Sequence, residues 1–109
     1  MRKIKKKICY IHQLSEKKFV KMWIKTWRDE VIVFKCDDRI YIKSAICPHF
    51  GGPIEFNNKK KHLICNWHGL KFSVKDGKCL NQNTFLACLN KYSYELRGKS
   101  IYIIKNESS

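Results

Sequence analysis

The chain has 109 residues, a length that fits one compact domain and leaves no room for a second. Its formal net charge is +14 and 44% of its residues are hydrophobic, so a soluble domain with a single core is expected. The first apolar stretch, residues 8–11, is far shorter than a signal-peptide core or a membrane span, which favours a cytoplasmic protein without a membrane segment.

In chain order, the pattern predicts a weak helix over residues 11–18 and then a series of short strands. Turn residues Cys36–Arg39 make the second and third strands a hairpin that leads directly to Cys47. The predicted strands cover residues 19–27, 31–35, 40–46, 70–74, 92–96 and 100–105, whereas 81–90 is ambiguous. Short strands separated by turns favour an antiparallel all-β fold, either a sandwich or a small barrel. Two flexible ends are expected, a basic arm at 1–8 and a tail at 106–109.

The basic charge has two interpretations. A nucleic acid or an anionic membrane could be the partner, or lysine could simply fill the exposed positions. The side chains that usually read base edges and clamp phosphates are arginines, and here they are few and scattered. They are Arg2, Arg28, Arg39 and Arg97. We therefore favour exposed lysine over a nucleic-acid interface.

Two cysteines and two histidines occur in matched pairs, as Cys47-Pro48-His49 and, after fifteen intervening residues, Cys65-Asn66-Trp67-His68. A tetrahedral zinc site is one interpretation, although zinc fingers usually pair cysteine with cysteine and histidine with histidine. A Cys-His nucleophile is a second, but nothing supplies an orienting group and catalysis would not need the pair twice. Mixed pairs fit a binuclear iron centre better, with two thiolates on one iron and two imidazoles on the other.

Glycines follow both pairs, at Gly51, Gly52 and Gly69. Beside a cluster, residues without a side chain would let backbone N–H groups approach the sulfur atoms. The other four cysteines have no partner spacing and are predicted to be buried, inert thiols. They are Cys9, Cys36, Cys79 and Cys88.

The pattern Cys-x-His…Cys-x-x-His, with the downstream stretch HGLKFSVKDGKCL, resembles the signature of Rieske [2Fe–2S] proteins over roughly residues 31–105. This resemblance implies an all-β fold of three antiparallel sheets, within a single domain 1–109, that carries a small cluster-binding subdomain at about 46–72. It implies one Rieske-type [2Fe–2S] cluster, with Cys47 and Cys65 on a buried iron and His49 and His68 on an outer iron. The spacer would be a hairpin with strands at 53–56 and 62–65 and a turn at 57–61.

Three positions distinguish branches of that family. Gly52 and Trp67 stand where the high-potential branch has two cysteines that form a disulfide, and Leu70 stands where it has a serine. Because fewer hydrogen bonds then stabilise the reduced cluster, the midpoint potential is expected near the low end of the Rieske range, at about −150 mV. The resemblance therefore favours a soluble Rieske-type ferredoxin of an oxygenase system.

The predicted function is one-electron transfer from a reductase to an oxygenase or related oxidoreductase, without catalysis. A complete oxygenase needs a second iron bound by two histidines and a carboxylate, and His12 and His62 are too poorly placed to supply it. The redox partners would present acidic docking surfaces to this basic chain. The alternatives are a detached Rieske subunit of a larger enzyme, or a zinc-stabilised basic β module that binds nucleic acid.

An apolar rim around the cluster would favour close approach of a partner. Phe50, Pro53, Trp67 and Leu70 are candidates for that rim. The alternative is that these side chains pack the loops and shield the cluster from water.

Overall fold

The computed structural model describes residues 2–48, 51–67, 69–80 and 88–107. One short helix, α1 (Ile11–Glu16), and one 3-10 turn (Lys25–Trp27) accompany nine strands in this part of the chain. The strands are β1 (Arg2–Tyr10), β2 (Phe19–Ile24), β3 (Asp29–Cys36), β4 (Arg39–Ser44), β5 (Ile54–Asn57), β6 (His62–Cys65), β7 (Lys71–Phe72), β8 (Lys91–Arg97) and β9 (Ser100–Glu107). All their pairings are antiparallel, which confirms the predicted all-β class.

The strands form a large sheet in the order β1-β9-β8-β4-β3-β2 and a small sheet in the order β5-β6-β7. The two halves of the large sheet meet at β4 and β8, where Ile42 pairs with Tyr92 and Lys43 pairs with Lys91. Because this joint is so short, the halves β1-β9-β8 and β4-β3-β2 count as two antiparallel sheets, and the small sheet is the third. This arrangement agrees with the expected fold of three antiparallel sheets.

Strand β3 separates two apolar clusters. Val31 and Val33 face one cluster, which includes Ile101 and Ile103 of β9. Ile32 and Phe34 face the other, in which side chains of the small sheet pack against the large one. Successive side chains of a strand point to opposite faces, so a strand with apolar residues at every position can serve two cores. The second of these clusters holds the small sheet in place.

The predicted basic arm at residues 1–8 is wrong over the residues described. Strand β1 begins at Arg2 and pairs with β9 as far as Tyr10. Lys3, Lys5 and Lys7 are exposed on one face while Ile8 is buried on the other, so the lysine run is the solvent side of an edge strand. The net charge of the segment gave no indication that exposed and buried side chains alternate along it.

The C-terminal tail was predicted to be flexible at 106–109, yet positions 106 and 107 belong to β9 and pair with β1. Residues 108–109 lie outside the described part of the chain, as do 81–87 of the ambiguous interval. Strand 19–27 ends at Ile24, where the 3-10 turn begins, and strand 70–74 is reduced to Lys71–Phe72. Among the described residues, no helix has both the length and the apolar character needed to cross a bilayer.

The cysteines outside the motif are only partly as predicted. Cys9 and Cys36 are buried, and burial raises the pKa of both thiols, so they are poorly reactive. Cys79 is half-buried, whereas Cys88 is exposed, so the prediction of a buried thiol is wrong there. Cys88 directly follows the interval that the structure does not describe, where its surroundings could not be judged from periodicity.

Candidate metal centre

The spacer between the two Cys/His pairs is a β-hairpin, as expected, with its first strand shifted by one residue to Ile54–Asn57. Ile54 pairs with Cys65 at one end of β5-β6, and Asn57 pairs with His62 at the other. Three residue steps of about 3.3 Å separate Cys65 from His62, so the lysine-containing turn lies roughly 10 Å from the motif cysteine. Lys61 in that turn forms an ion pair of 2.7 Å with Asp37. The lysines of the spacer therefore lie away from the candidate centre.

The chain leaves β4 and enters the first loop, residues 47–52, which we call the Cys47 loop. The backbone N–H of Cys47 donates to the carbonyl oxygen of Gly52 at 2.8 Å, and the N–H of Gly51 donates back to the carbonyl of Cys47 at 2.9 Å. Gly51 has a φ of +69°, a conformation that favours glycine, and no atom lies within 4 Å of where its Cβ would be. Backbone conformation, and not space, requires glycine at this position.

The second loop, residues 65–70, repeats this geometry, and we call it the Cys65 loop. The N–H of Cys65 donates to the carbonyl oxygen of Leu70 at 2.8 Å, and the N–H of Gly69 donates to the carbonyl of Cys65 at 2.8 Å. Gly69 also has a φ of +69°. The N–H groups of Gly51 and Gly69 are thus used within their own loops, so any backbone N–H that approaches a cluster sulfur would come from other residues.

The two loops meet at Gly52, where glycine is needed for space. A Cβ at this position would lie 2.9 Å from the Sγ of Cys65 and 3.1 Å from ring atoms of Trp67. The N–H of Asn66 donates to the carbonyl of Pro53 at 3.1 Å and adds a second link between the loops. Because positions 52 and 67 are glycine and tryptophan, no disulfide can join the loops, and backbone contacts connect them instead.

The structure brings the two predicted cysteine ligands to this meeting point. Cys47 and Cys65 are 1% and 0% exposed, and each borders Gly52, the first through its N–H and the second through its Sγ. Two buried cysteines that meet at a glycine, where an added Cβ would crowd the Cys65 Sγ, agree with the thiolate side of a [2Fe–2S] centre. His49, Phe50 and His68 lie outside the described residues. Within the described residues, no three metal-binding side chains converge on one point.

Trp67 and Leu70 differ in exposure, although both were candidates for an apolar rim. Trp67 is 65% exposed, whereas Leu70 packs against the core beneath the small sheet. Pro53 is half-buried and pairs with Ile46. The exposure of Trp67 agrees with a place on a rim, and the packing of Leu70 agrees with a role in the core.

A hydrogen-bond network that sequence reasoning missed connects the Cys47 loop to the large sheet. Asp29 is buried at the start of β3, and its two carboxylate oxygens accept from the Oγ of Ser44, at 2.8 Å, and from the hydroxyl of Tyr92. The Ser44 Oγ in turn accepts from the N–H of Ile46, at 3.4 Å, next to Cys47. Burial first, and then the bond to Asp29, raises the pKa of Tyr92 well above its usual value, so its hydroxyl remains a donor. The signal in the sequence that could have indicated this network is Asp29, an acidic residue at the start of the apolar strand β3.

The two histidines outside the motif take no part in this site. His12 stacks on Tyr10 with 5.6 Å between ring centroids, and His62 lies at the far end of the hairpin from Cys65. Burial, followed by the neighbouring Lys71 and Lys60, lowers the pKa of His62. The expectation that these two histidines cannot form a second iron site agrees with their placement on separate elements.

A small sheet that carries two matched cysteine loops, packed on a larger antiparallel sheet, defines the architecture of a cluster-binding β domain. Comparison with protein families matches residues 5–93 to the Rieske [2Fe-2S] domain. The chain belongs to the Rieske [2Fe–2S] domain family, which implies one Rieske-type [2Fe–2S] cluster. A search of curated proteins gives no match.

Solved structures with the same fold have different roles. The ferredoxin of carbazole 1,9a-dioxygenase from Nocardioides aromaticivorans IC177 is 20% identical, with a TM-score of 0.74 over 91% of this chain and 95% of that one. The plasma membrane Rieske protein of Synechocystis PCC 6803 is also 20% identical, with a TM-score of 0.75 over 92% and 98%. A protein assigned as the small subunit of an NADH-dependent nitrite reductase from Mycobacterium tuberculosis is 15% identical, with a TM-score of 0.74 over 99% and 100%. These likenesses establish the fold.

Proposed function

We propose that the protein is a one-electron carrier that passes electrons from a reductase to an oxygenase or related oxidoreductase, and is not itself a catalyst. Residues 46–72 would form the cluster-binding subdomain of a single domain. The observation that carries the proposal is the pair of matched loops, which bring two buried cysteines to one point at the edge of the small sheet. An electron carrier needs a centre at an edge, where a partner can approach it.

We assign the ligands by loop. Cys47 and Cys65 would hold the buried iron, because both side chains are enclosed. His49 and His68 would hold the outer iron by virtue of their places in the motif, two and three residues after the cysteines. When bound, a cluster of this kind supplies a one-electron couple. The chain orients the sulfur atoms through the two loop hydrogen bonds at each cysteine.

The loops also support a low midpoint potential. Leu70 has no hydroxyl to donate to a sulfur and turns towards the core, and the N–H groups of Gly51 and Gly69 donate to carbonyls. Fewer donors to the cluster stabilise its reduced form less. A midpoint near the low end of the Rieske range, about −150 mV, is expected.

The test is spectroscopic and uses the purified full chain. We expect a coloured protein with two irons per chain, a Rieske-type EPR signal after reduction with dithionite, and a low midpoint by potentiometry. A colourless protein with one zinc per chain and no iron would overturn the electron-carrier proposal. A strongly positive midpoint would contradict the assignment to the low-potential branch.

The match in length to the nitrite reductase small subunit favours a second candidate, in which the protein is a resident subunit of a larger enzyme. A carrier leaves its partner after each transfer, whereas a subunit remains bound. Size-exclusion chromatography of a native extract, with immunodetection of this chain, separates the two. Elution at the monomer position supports the carrier, and elution only with a large complex supports the subunit.

A further inference from the structure

Beside the Cys47 loop runs a groove that the proposed electron-transfer centre does not use. A cavity of about 390 Å³ lies between Pro48 of that loop, Trp27 and Lys105. A second cavity, of about 560 Å³, continues from it towards Lys3 and Lys91. Asn90, Tyr92 and Lys105 line both cavities, so the two form one surface, which we call the lateral groove.

The lateral groove carries cations that the fold does not neutralise. Its charged lining consists of Lys3, Arg28, Lys91, Lys105 and a single carboxylate, that of Asp29. Both oxygens of Asp29 already accept from the hydroxyls of Ser44 and Tyr92. Among the described side chains, none of the four cations forms an ion pair.

The ion pairs that the structure does contain lie elsewhere. Lys61 pairs with Asp37 at the far end of the spacer hairpin, and Lys35 reaches Asp38 in the β3–β4 turn. Lys5 and Arg97 both form ion pairs with Glu95, in the β1-β9-β8 half of the large sheet. The carboxylates of these ion pairs lie outside the groove lining, so the four groove cations, set against Asp29 alone, leave a positive potential for a partner.

The floor of the groove is aromatic and its shape is held by the fold. Trp27 stacks on Tyr92 with 5.7 Å between ring centroids, and the ammonium of Lys105 lies 5.2 Å from the Trp27 ring. Arg28 follows at a φ of 48°, in the left-handed region that an arginine seldom adopts. A left-handed residue commonly ends a helical turn, and at this position the Arg28 side chain lines the groove.

We propose that the lateral groove docks an acidic segment of the redox partner, whose carboxylates pair with Lys3, Arg28, Lys91 and Lys105 while the partner's own centre approaches the Cys47 loop. This inference rests on the proposed electron transfer, since it is the partner of that reaction that must come beside this loop. Three of the four cations are lysines, which act as point charges and not as the planar forks that clamp phosphates. Because the partner in electron transfer is a protein, its carboxylates are the anions that these point charges would meet. Charge pairs of this sort set the rate and orientation of docking.

The test measures binding of a fluorescein-labelled decaglutamate peptide to the cluster-loaded protein by anisotropy, at about 0.1 M salt, where long-range attraction is screened. The double variant Lys91→Glu/Lys105→Glu reverses two groove charges. The matched control, Lys59→Glu/Lys60→Glu, makes the same change in net charge at the tip of the spacer hairpin. We expect the groove variant to weaken binding about tenfold or more and the control to weaken it less than about threefold.

A third variant separates charge from folding. Arg28→Gly removes a groove cation while relieving the left-handed backbone, so we expect weaker peptide binding with no loss of thermal stability. Equal weakening by the two double variants would show binding to general charge and would overturn the proposal. The proposal would also be overturned if the groove variant weakened binding of a single-stranded oligonucleotide or of anionic vesicles but not binding of the peptide. EPR of the same samples reports the cluster, so failure of the groove and failure of the electron-transfer proposal give different results.

Discussion

The Cys47 loop and the Cys65 loop have the same backbone hydrogen bonds but are held by different parts of the molecule. The Cys47 loop follows β4 of the large sheet, where Asp29 and Ser44 fix the chain just before it. The Cys65 loop connects β6 to β7 of the small sheet and depends on the spacer hairpin. One geometry is thus produced twice from different surroundings, so the backbone hydrogen bonds within each loop, and not a shared sheet, account for the likeness.

Where the loops meet, they are no longer equivalent. The Cys47 loop contributes Gly52, which has no side chain, and the Cys65 loop contributes Trp67, whose ring lies beside it. Because Gly52 has no side chain, it does not crowd the Cys65 sulfur, and the Trp67 ring packs beside Gly52. The fold can therefore be tested by changes that affect both loops equally and by changes that affect only one.

The largest effect is expected from substitutions that should have the same result in either loop. Replacement of Cys47 or Cys65 by serine removes a thiolate from the proposed buried iron, and we expect either variant to lose the cluster completely. Iron content and visible absorption measure this loss. Cys88→Ser, at an exposed position, is the matched control and should keep full iron content. Normal iron content in either loop variant would show that the two cysteines do not both hold the buried iron.

The next effect compares the two loops by the reason that each needs glycine, which is space at Gly52 and backbone conformation at Gly69. Gly52→Ala adds a Cβ that would lie 2.9 Å from the Cys65 Sγ, and such overpacking should lower the free energy of unfolding by about 1–3 kcal/mol. Gly69→Ala, with open space but a positive φ, should cost about 1–2 kcal/mol by strain alone. Urea unfolding in a Trp67→Ala background discriminates the two causes. Removal of the ring should recover part of the Gly52→Ala cost and none of the Gly69→Ala cost.

A smaller effect concerns the attachment of the Cys47 loop. Asp29→Asn replaces one acceptor oxygen of the buried network with a donor, and we expect it to lower the free energy of unfolding by roughly 1–2 kcal/mol. Amide exchange of Ile46 should accelerate more than that of Cys65, because the network holds only the first loop. Asp38→Asn, at a carboxylate whose side chain is 99% exposed, is the control. Equal acceleration at both amides would show that Asp29 supports the whole domain.

The smallest effect depends on pH and reaches the hairpin that supports the Cys65 loop. Burial and the nearby Lys71 and Lys60 hold the pKa of folded His62 below its ordinary value of 6.5, so the unfolded chain binds more protons in the interval between the two. The free energy of unfolding should therefore fall as pH decreases through that interval. His62→Gln should flatten this part of a stability profile, and Lys71→Gln should reduce its slope. A slope unchanged in His62→Gln would assign the effect to another group.

Local patterns predicted the elements that bring the cysteines together. The hairpin of β3 and β4 combines short apolar runs with turn residues close in sequence, and it was found near its expected bounds. The bounds of the spacer hairpin came from the family resemblance, and they too were found within one residue. The Asp29 network was not predictable in this way, because its hydroxyl partner, Tyr92, is 63 positions away and nothing local marks the two as neighbours. Strand β1 was missed because its lysines were judged by charge, although Ile8 is buried in the same segment.

The register of the spacer hairpin also governs how its length can vary. Ile54 lies opposite Cys65, and the turn at 58–61 closes the hairpin at its exposed end. Because side chains alternate with a period of two, one residue inserted within β6 would turn Cys65 outwards, away from the core. Residues added at the turn would lengthen the loop and leave that pairing intact. The turn is therefore the natural attachment point for a label or an electrode linker on this protein.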